Sequence, residues 1–167
     1  MKKIYFGGKF SLLPDQSLPL AERLAADYRT ALTGDILYAR ENYVISDRFL
    51  YLGPFYSEKA SDGDFTSTDC SAVLSAESCS VAGCDVFVAV FGEAFSVGTV
   101  VELGWAIEWD KEIVILYREE KSSAYTIKSD YWFAIADAIA RSDRVKVFSY
   151  FEDCEIVPLL RRLFIEF

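Results

Sequence analysis

The chain has 167 residues, a net charge of −9, a hydrophobic fraction of 52%, a charged fraction of 26% and no histidine. Those values fit one globular domain spanning residues 1–167 and exclude a disordered chain, and no apolar run approaches the ~18 residues that a membrane span requires. Without imidazole there is no Ser-His triad, no HExxH zinc site and no basis for most transition-metal sites.

Acid–base or nucleophilic work therefore falls to Asp, Glu, Tyr, Lys, Ser or Cys. The acidic balance, with no basic cluster, argues against a nucleic-acid polymer as partner, because duplex binders gain affinity by neutralising phosphates. A small anionic ligand stays admissible, since backbone amides and one or two cations bind it locally. Cys70, Cys79, Cys84 and Cys154 form no CxxC pair and read as buried thiols.

In chain order, Lys3–Gly7 is a short strand ending in Gly7-Gly8; its apolar stretch is too short for a signal sequence, and the protein is expected to be cytoplasmic. Ser17-Leu-Pro opens a helix that Gly34 closes, with Leu20, Leu24, Ala25, Tyr28 and Leu32 as its apolar stripe. Asn42–Ser46 and Phe49–Leu52 both look like strand. Either Ser46-Asp47-Arg48 turns between them, or only the first is a core strand. Ser57–Thr68 reads as a long loop, of the kind that often forms a lid or binding loop.

A helix over Asp69–Ala82 precedes Asp85–Phe91, which is apolar on both faces as a central parallel strand must be. A loop over Gly92–Gly98, a helix over Thr99–Trp109 and a second two-faced strand, Ile113–Tyr117, follow. A helix over Tyr131–Ala140, a strand Arg144–Phe148 and a helix Cys154–Phe164 complete the chain.

Repeated βα units with short connections predict an α/β fold: a doubly wound, flavodoxin-like domain with a mostly parallel sheet of about five strands. Ligands in such sheets bind beyond the strand carboxyl ends. The site should therefore draw on Gly7–Ser11, the 50s–60s loop and Gly92–Glu102.

Glu102 stands among Val100, Val101, Leu103, Trp105, Ala106 and Ile107, so something must justify an acid on so apolar a helix. One justification is a capping box, with Thr99 as N-cap and Glu102 at N3. The other is a carboxylate nucleophile facing the ligand crevice. The two are compatible. Ser96-Val-Gly98 just before that helix supplies a hydroxyl, loop amides and a helix N-terminus, an ordinary anion site. GxGxxG and a Walker lysine are both missing, so no dinucleotide or ATP fingerprint is present.

Tyr5-Phe-Gly-Gly, Gly83-Cys-Asp-Val-Phe-Val-Ala-Val, Ser96-Val-Gly-Thr-Val-Val-Glu102-Leu-Gly-Trp-Ala and Lys111-Glu-Ile-Val-Ile-Leu together resemble the nucleoside 2-deoxyribosyltransferase family. The Ser96 form of the loop is similar to its branch of 2′-deoxynucleoside 5′-monophosphate N-hydrolases. The resemblance implies that Glu102 is the nucleophile that attacks the anomeric carbon and that Tyr5 orients it. It implies that Glu77 stands where the family has an aspartate assisting at base or sugar; a glutamate there carries an extra methylene. Ser96 falls where transferases hold the sugar with an aspartate and the hydrolases hold phosphate with a serine. Lys9 and Ser11 sit where that branch has a serine and an arginine for phosphate, and Lys9 would be the substitute cation.

The implied activity is cleavage or transfer of the N-glycosidic bond of a (deoxy)nucleoside or its monophosphate through a glycosyl-glutamate intermediate, with no cofactor and no metal. Catalysis would rest on Glu102, Tyr5 and Glu77, and substrate binding on Gly7, Gly8, Lys9, Ser96, Gly98 and Ser129. The resemblance also implies a homodimer or larger assembly. The aromatic segment Tyr125–Phe133, with Tyr131 and Trp132, is the expected interface, Ser129 the residue reaching across, and core packing explains those aromatics equally well. The alternative is a catalytically silent nucleotide- or nucleoside-binding domain in which Glu102 is only a cap.

Overall fold

The structure, a computed structural model, describes residues 1–8, 22, 27–34, 43–54, 70–92, 96–119 and 131–165. Its strands are β1 (Lys2–Gly8), β2 (Tyr43–Val44), β3 (Phe49–Gly53), β4 (Val86–Phe91), β5 (Glu112–Arg118) and β6 (Val145–Tyr150). The helices are α1 (Tyr28–Thr33), α2 (Cys70–Gly83), α3 (Val97–Glu108), α4 (Trp132–Arg141) and α5 (Ile156–Phe164), with a 3₁₀ turn, Asp153–Glu155, leading into α5.

The strands form one sheet in the order β2-β3-β1-β4-β5-β6. Five of them run parallel, from β3 across β1, β4 and β5 to β6. The sixth, β2, is a two-residue antiparallel edge in which Tyr43 faces Tyr51. The fold is thus the expected doubly wound α/β arrangement. Phe49–Gly53 is the strand that pairs with β1, so the second of the two candidate segments enters the parallel core and the first only borders it.

Alternation along the strands builds two apolar layers. Ile4, Phe6, Val86, Val88, Val90, Val114 and Leu116 face Tyr28 and Leu32 of α1 and Ile156, Leu160 and Phe164 of α5. Tyr5, Phe87, Ala89, Phe91, Ile113 and Ile115 face Val81 of α2, Leu103 and Ala106 of α3, and Ile135 and Ala138 of α4. All six residues of β4 are buried, because helices cover both faces of that strand.

Two helix starts near the site differ from the sequence reading, and the last helix starts at Ile156 rather than Cys154 because a 3₁₀ turn precedes it. Asp27 has an extended backbone, with ψ of 137°, and its side chain accepts from the Arg29 amide, so α1 starts at Tyr28 and a helix from Ser17 to Gly34 is not continuous. Ser17, Pro19, Leu20, Leu24 and Ala25 lie outside the described residues. Helix α3 starts at Val97, two residues early, because Ser96 is its N-cap. The cysteines also depart from expectation. Cys84 is buried, whereas Cys79 and Cys154 are exposed, on the outer side of α2 and in the 3₁₀ turn. Among the described residues no helix is long and apolar enough to cross a membrane.

Strand order reverses at β1 and β4: the chain moves from β1 outward to β3, then returns to add β4 on the other side. The crevice beyond the carboxyl ends of these two strands is where a doubly wound sheet binds ligands. It is bounded by Gly7 and Gly8 on one side and by the N-terminus of α3 on the other.

Candidate active site

Tyr5 sits in the middle of β1 on the face covered by α3, and its hydroxyl donates to Glu102 Oε1 at 2.5 Å. Both residues are buried, Glu102 to 6% exposure. With Ser96 as N-cap, Glu102 lies nearly two turns into α3, well beyond N3, so the capping-box explanation does not hold. The cap is made instead by Ser96 Oγ, which accepts from the Thr99 amide at 3.4 Å and shares a 2.8 Å bond with Thr99 Oγ1.

Burial is the main influence on Glu102 and pushes its pKa up to about 7. The hydrogen bond from Tyr5 opposes that rise, the Glu77 charge adds to it, and the Arg29 charge works against it. Burial, followed by the Glu102 charge, drives the Tyr5 hydroxyl far above its ordinary range, so it stays protonated and remains a donor. Glu77, half-buried on α2, is also raised by burial, and its charge reaches both Tyr5 and Glu102. Two carboxylates and a phenol therefore share one electrostatic environment.

Gly7 fits only because it has no side chain. A Cβ there would lie 2.7 Å from Glu102 Oε2 and 2.8 Å from Phe87 Cζ. At Gly8 a Cβ would meet the Tyr28 hydroxyl at 3.1 Å. Gly98, in the first turn of α3, has open space around it. The structure thus brings Tyr5, Gly7, Glu77 and Glu102 together, with Ser96 at the start of the same helix as Glu102. Lys9, Ser11, Ser129 and the 57–68 loop lie outside the described residues.

Asp27 and Arg29 join the site without having been singled out in the sequence, and Tyr131, read there as interface or core, joins it as well. Arg29, 1% exposed, is held by Asp27 through Nε and Nη2 at 2.7 Å each, and its Nη1 donates to the Phe6 carbonyl at 3.1 Å. Tyr131 stacks on Phe91 with ring centroids 4.4 Å apart, and its hydroxyl accepts from the Ser96 amide at 2.6 Å, fixing the loop before α3. The sequence signal for Asp27 and Arg29 was a cation beside an Asx residue, a cap pattern inside an apparently continuous helix. Tyr131 carried no signal beyond its aromatic neighbourhood. It packs in the core and Trp132 packs edge-on against Tyr117, so among the described residues of that segment the one on the surface is Phe133, at 88% exposure.

Two measurements follow from this geometry. Holding Glu102 at a pKa near 7 rather than its ordinary 4.5 means that the folded state pays for an ionised carboxylate above pH 7, by about 3 kcal/mol at most. Since the raised pKa favours the protonated fold, that penalty fades as pH falls through 7 towards 4.5. Glu102→Gln, which can still accept from Tyr5, should therefore raise the urea midpoint at pH 8 and lose most of that gain by pH 5; an equal effect at both pH values would contradict the assignment. Gly7→Ala should cost about 1–3 kcal/mol through overpacking. Part of that cost should be recovered in a Glu102→Ala background, and a double-mutant cycle measures the coupling.

No protein-family model and no curated protein matches the chain. Solved structures do. A CMP N-glycosidase of Clostridium botulinum, BcmB, superposes with a TM-score of 0.56 at 17% identity, covering 97% of this chain and 99% of its own. A 2-desoxiribosyltransferase from Leishmania mexicana superposes with a TM-score of 0.51 at 16% identity, covering 99% of each chain. Both are enzymes of the kind that the sequence motifs resemble. The chain therefore has the doubly wound α/β fold of an N-glycosidase and a deoxyribosyltransferase.

Proposed function

We propose that this protein cleaves or transfers the N-glycosidic bond of a nucleoside or nucleoside monophosphate through a glycosyl ester on Glu102. The observation that carries this reading is a buried carboxylate, bonded to a buried phenol, at the carboxyl end of the central strands and at the switch point of the sheet. A carboxylate taken out of water is costly to maintain, and neither capping nor an ion pair accounts for it among the described residues.

In the proposed reaction, ionised Glu102 attacks the anomeric carbon while the base departs with the electrons of the C–N bond. Glu77, its proton affinity raised by burial, delivers a proton to that base. Water or a second base then attacks the same carbon and releases Glu102, so each carbon–oxygen bond formed to the enzyme is also broken. Tyr5 keeps one oxygen of the carboxylate fixed, leaving the other for attack. Carboxylates acting in pairs on oxocarbenium-like states need neither imidazole nor metal, which suits a chain without histidine.

The fold it shares with a protein named as a CMP N-glycosidase supports a pyrimidine nucleotide as the first substrate to try. Ser96 and the amides of the first turn of α3 are the proposed phosphate contacts, and Gly7 and Gly8 line the sugar side. Lys9 is the proposed second cation for that phosphate, and Ser129 is proposed to act across a homodimer whose exposed Phe133 lies near the contact.

The test is base release from cytidine and deoxycytidine monophosphates and their nucleosides, followed by chromatography. Wild-type kcat/KM should fall as pH drops through about 7, because the reacting form is the ionised Glu102. Glu102→Gln should lose at least roughly a thousandfold in kcat while remaining folded. Base release that survives in this variant would remove Glu102 as the nucleophile, and a wild type that releases no base from any of these substrates would leave the binding-module reading in its place.

A further inference from the structure

The ladder between β1 and β3 ends where Tyr5 meets Gly53, whereas the ladder between β1 and β4 continues to Gly8. Beyond Gly53 the chain passes into Pro54, which has no amide hydrogen to offer. The last carbonyls of β1 consequently outrun their neighbour on that side. Arg29 meets them: Nη1 donates to the Phe6 carbonyl at 3.1 Å and, more weakly, to the Gly8 carbonyl at 3.5 Å. Those two carbonyls flank Gly7, the residue against which Glu102 Oε2 rests from the opposite face of the sheet.

A buried ion pair is an expensive way to tie down two carbonyls. Removing both charges in favour of apolar groups is often neutral or stabilising, so a retained pair calls for a role other than stability. Its orientation suggests that role. Asp27 occupies the Nε and Nη2 edge of the guanidinium, and the Arg29 charge acts on Glu102.

We propose that Arg29 is a positioning residue for Glu102, gripping the end of β1 on which that carboxylate rests and supplying the positive charge that favours its ionised form. Among the described residues the titratable and charged groups acting on Glu102 are Tyr5 from β1, Glu77 from α2 and Arg29 from α1. Arg29 is the one cation of the three, and it offsets both the burial of Glu102 and the charge of Glu77.

The kinetic consequence rests on the reading of Glu102 as the reacting carboxylate; its titration does not. The side-chain carboxyl of Glu102 can be followed by carbon NMR in protein labelled at glutamate, with Glu102→Gln identifying the resonance. In Arg29→Gln its titration midpoint should rise, by less than the roughly one pH unit that an opposite charge in direct contact supplies, because Arg29 is the weakest of the influences on Glu102. Because Arg29→Gln takes the guanidinium away from the buried Asp27 and can unfold the chain, the double variant Asp27→Asn/Arg29→Gln is measured beside it; it removes an ion pair rather than a lone cation, so a smaller rise in the same direction is expected.

A midpoint unchanged from wild type in whichever variant folds overturns the proposal, and so does failure of both to fold, which would make Arg29 purely structural. If wild type releases base, the acid limb of kcat/KM should move up with the NMR midpoint, and a limb that stays in place overturns the kinetic part. If wild type releases none, the proposed function fails while the titration still decides the role of Arg29.

Discussion

The bond between Tyr5 and Glu102 joins the central strand to helix α3 across 97 residues of sequence, and much of the site is arranged to permit it. It requires Tyr5 to project from β1 towards α3 rather than towards α1, which the alternation of Ile4, Tyr5 and Phe6 secures. It requires α3 to lie close against β1, which the missing side chain at Gly7 allows and Leu103 and Ala106 anchor. It also requires α3 to begin early enough for position 102 to reach the strand. The Ser96 cap, fastened through Tyr131, provides that start.

The electrostatics of this contact pull in opposite directions. Burial raises the proton affinity of Glu102 and Glu77 raises it further, while one hydrogen bond and one remote cation restrain it. The outcome, a carboxyl whose pKa lies near neutrality, is poor for stability and good for chemistry. A fully solvated glutamate would be ionised but well hydrated and unreactive, and a fully buried one without Tyr5 or Arg29 would stay protonated. Strain of this kind is ordinarily confined to sites of function. Tyr5 contributes in a second way, since its own raised pKa keeps it a donor across the whole working range.

Much of the fold was legible in the chain because it depends on patterns that burial enforces directly. Val86–Phe91 and Ile113–Leu116 are apolar on both faces, and only a sheet covered on both sides uses such segments. The early start of α3 was harder to read. Thr99 and Glu102 have capping-box spacing, but Ser96 takes the cap and burial draws the glutamate inward, a tertiary decision that local spacing does not record. Arg29 escaped for a related reason. Its partners are a neighbouring aspartate and carbonyls more than twenty residues away, and nothing in the helix pattern around Leu32 distinguishes it from a surface cation. Tyr131 looked like interface or core in equal measure, and it was the 4.4 Å stack on Phe91 that decided for core.

The likeness to two solved enzymes fixes the fold and leaves the chemistry to the residues of this chain. The central claim is that Glu102 attacks the anomeric carbon and a second nucleophile then displaces it. Two displacements retain configuration, whereas direct attack by solvent inverts it. The most direct measurement is the anomeric configuration of the methyl glycoside formed when base release from a β-configured nucleotide proceeds in buffer containing methanol, read by proton NMR at early times. The account predicts the β anomer. The α anomer, or a mixture of the two formed from the outset, would contradict it.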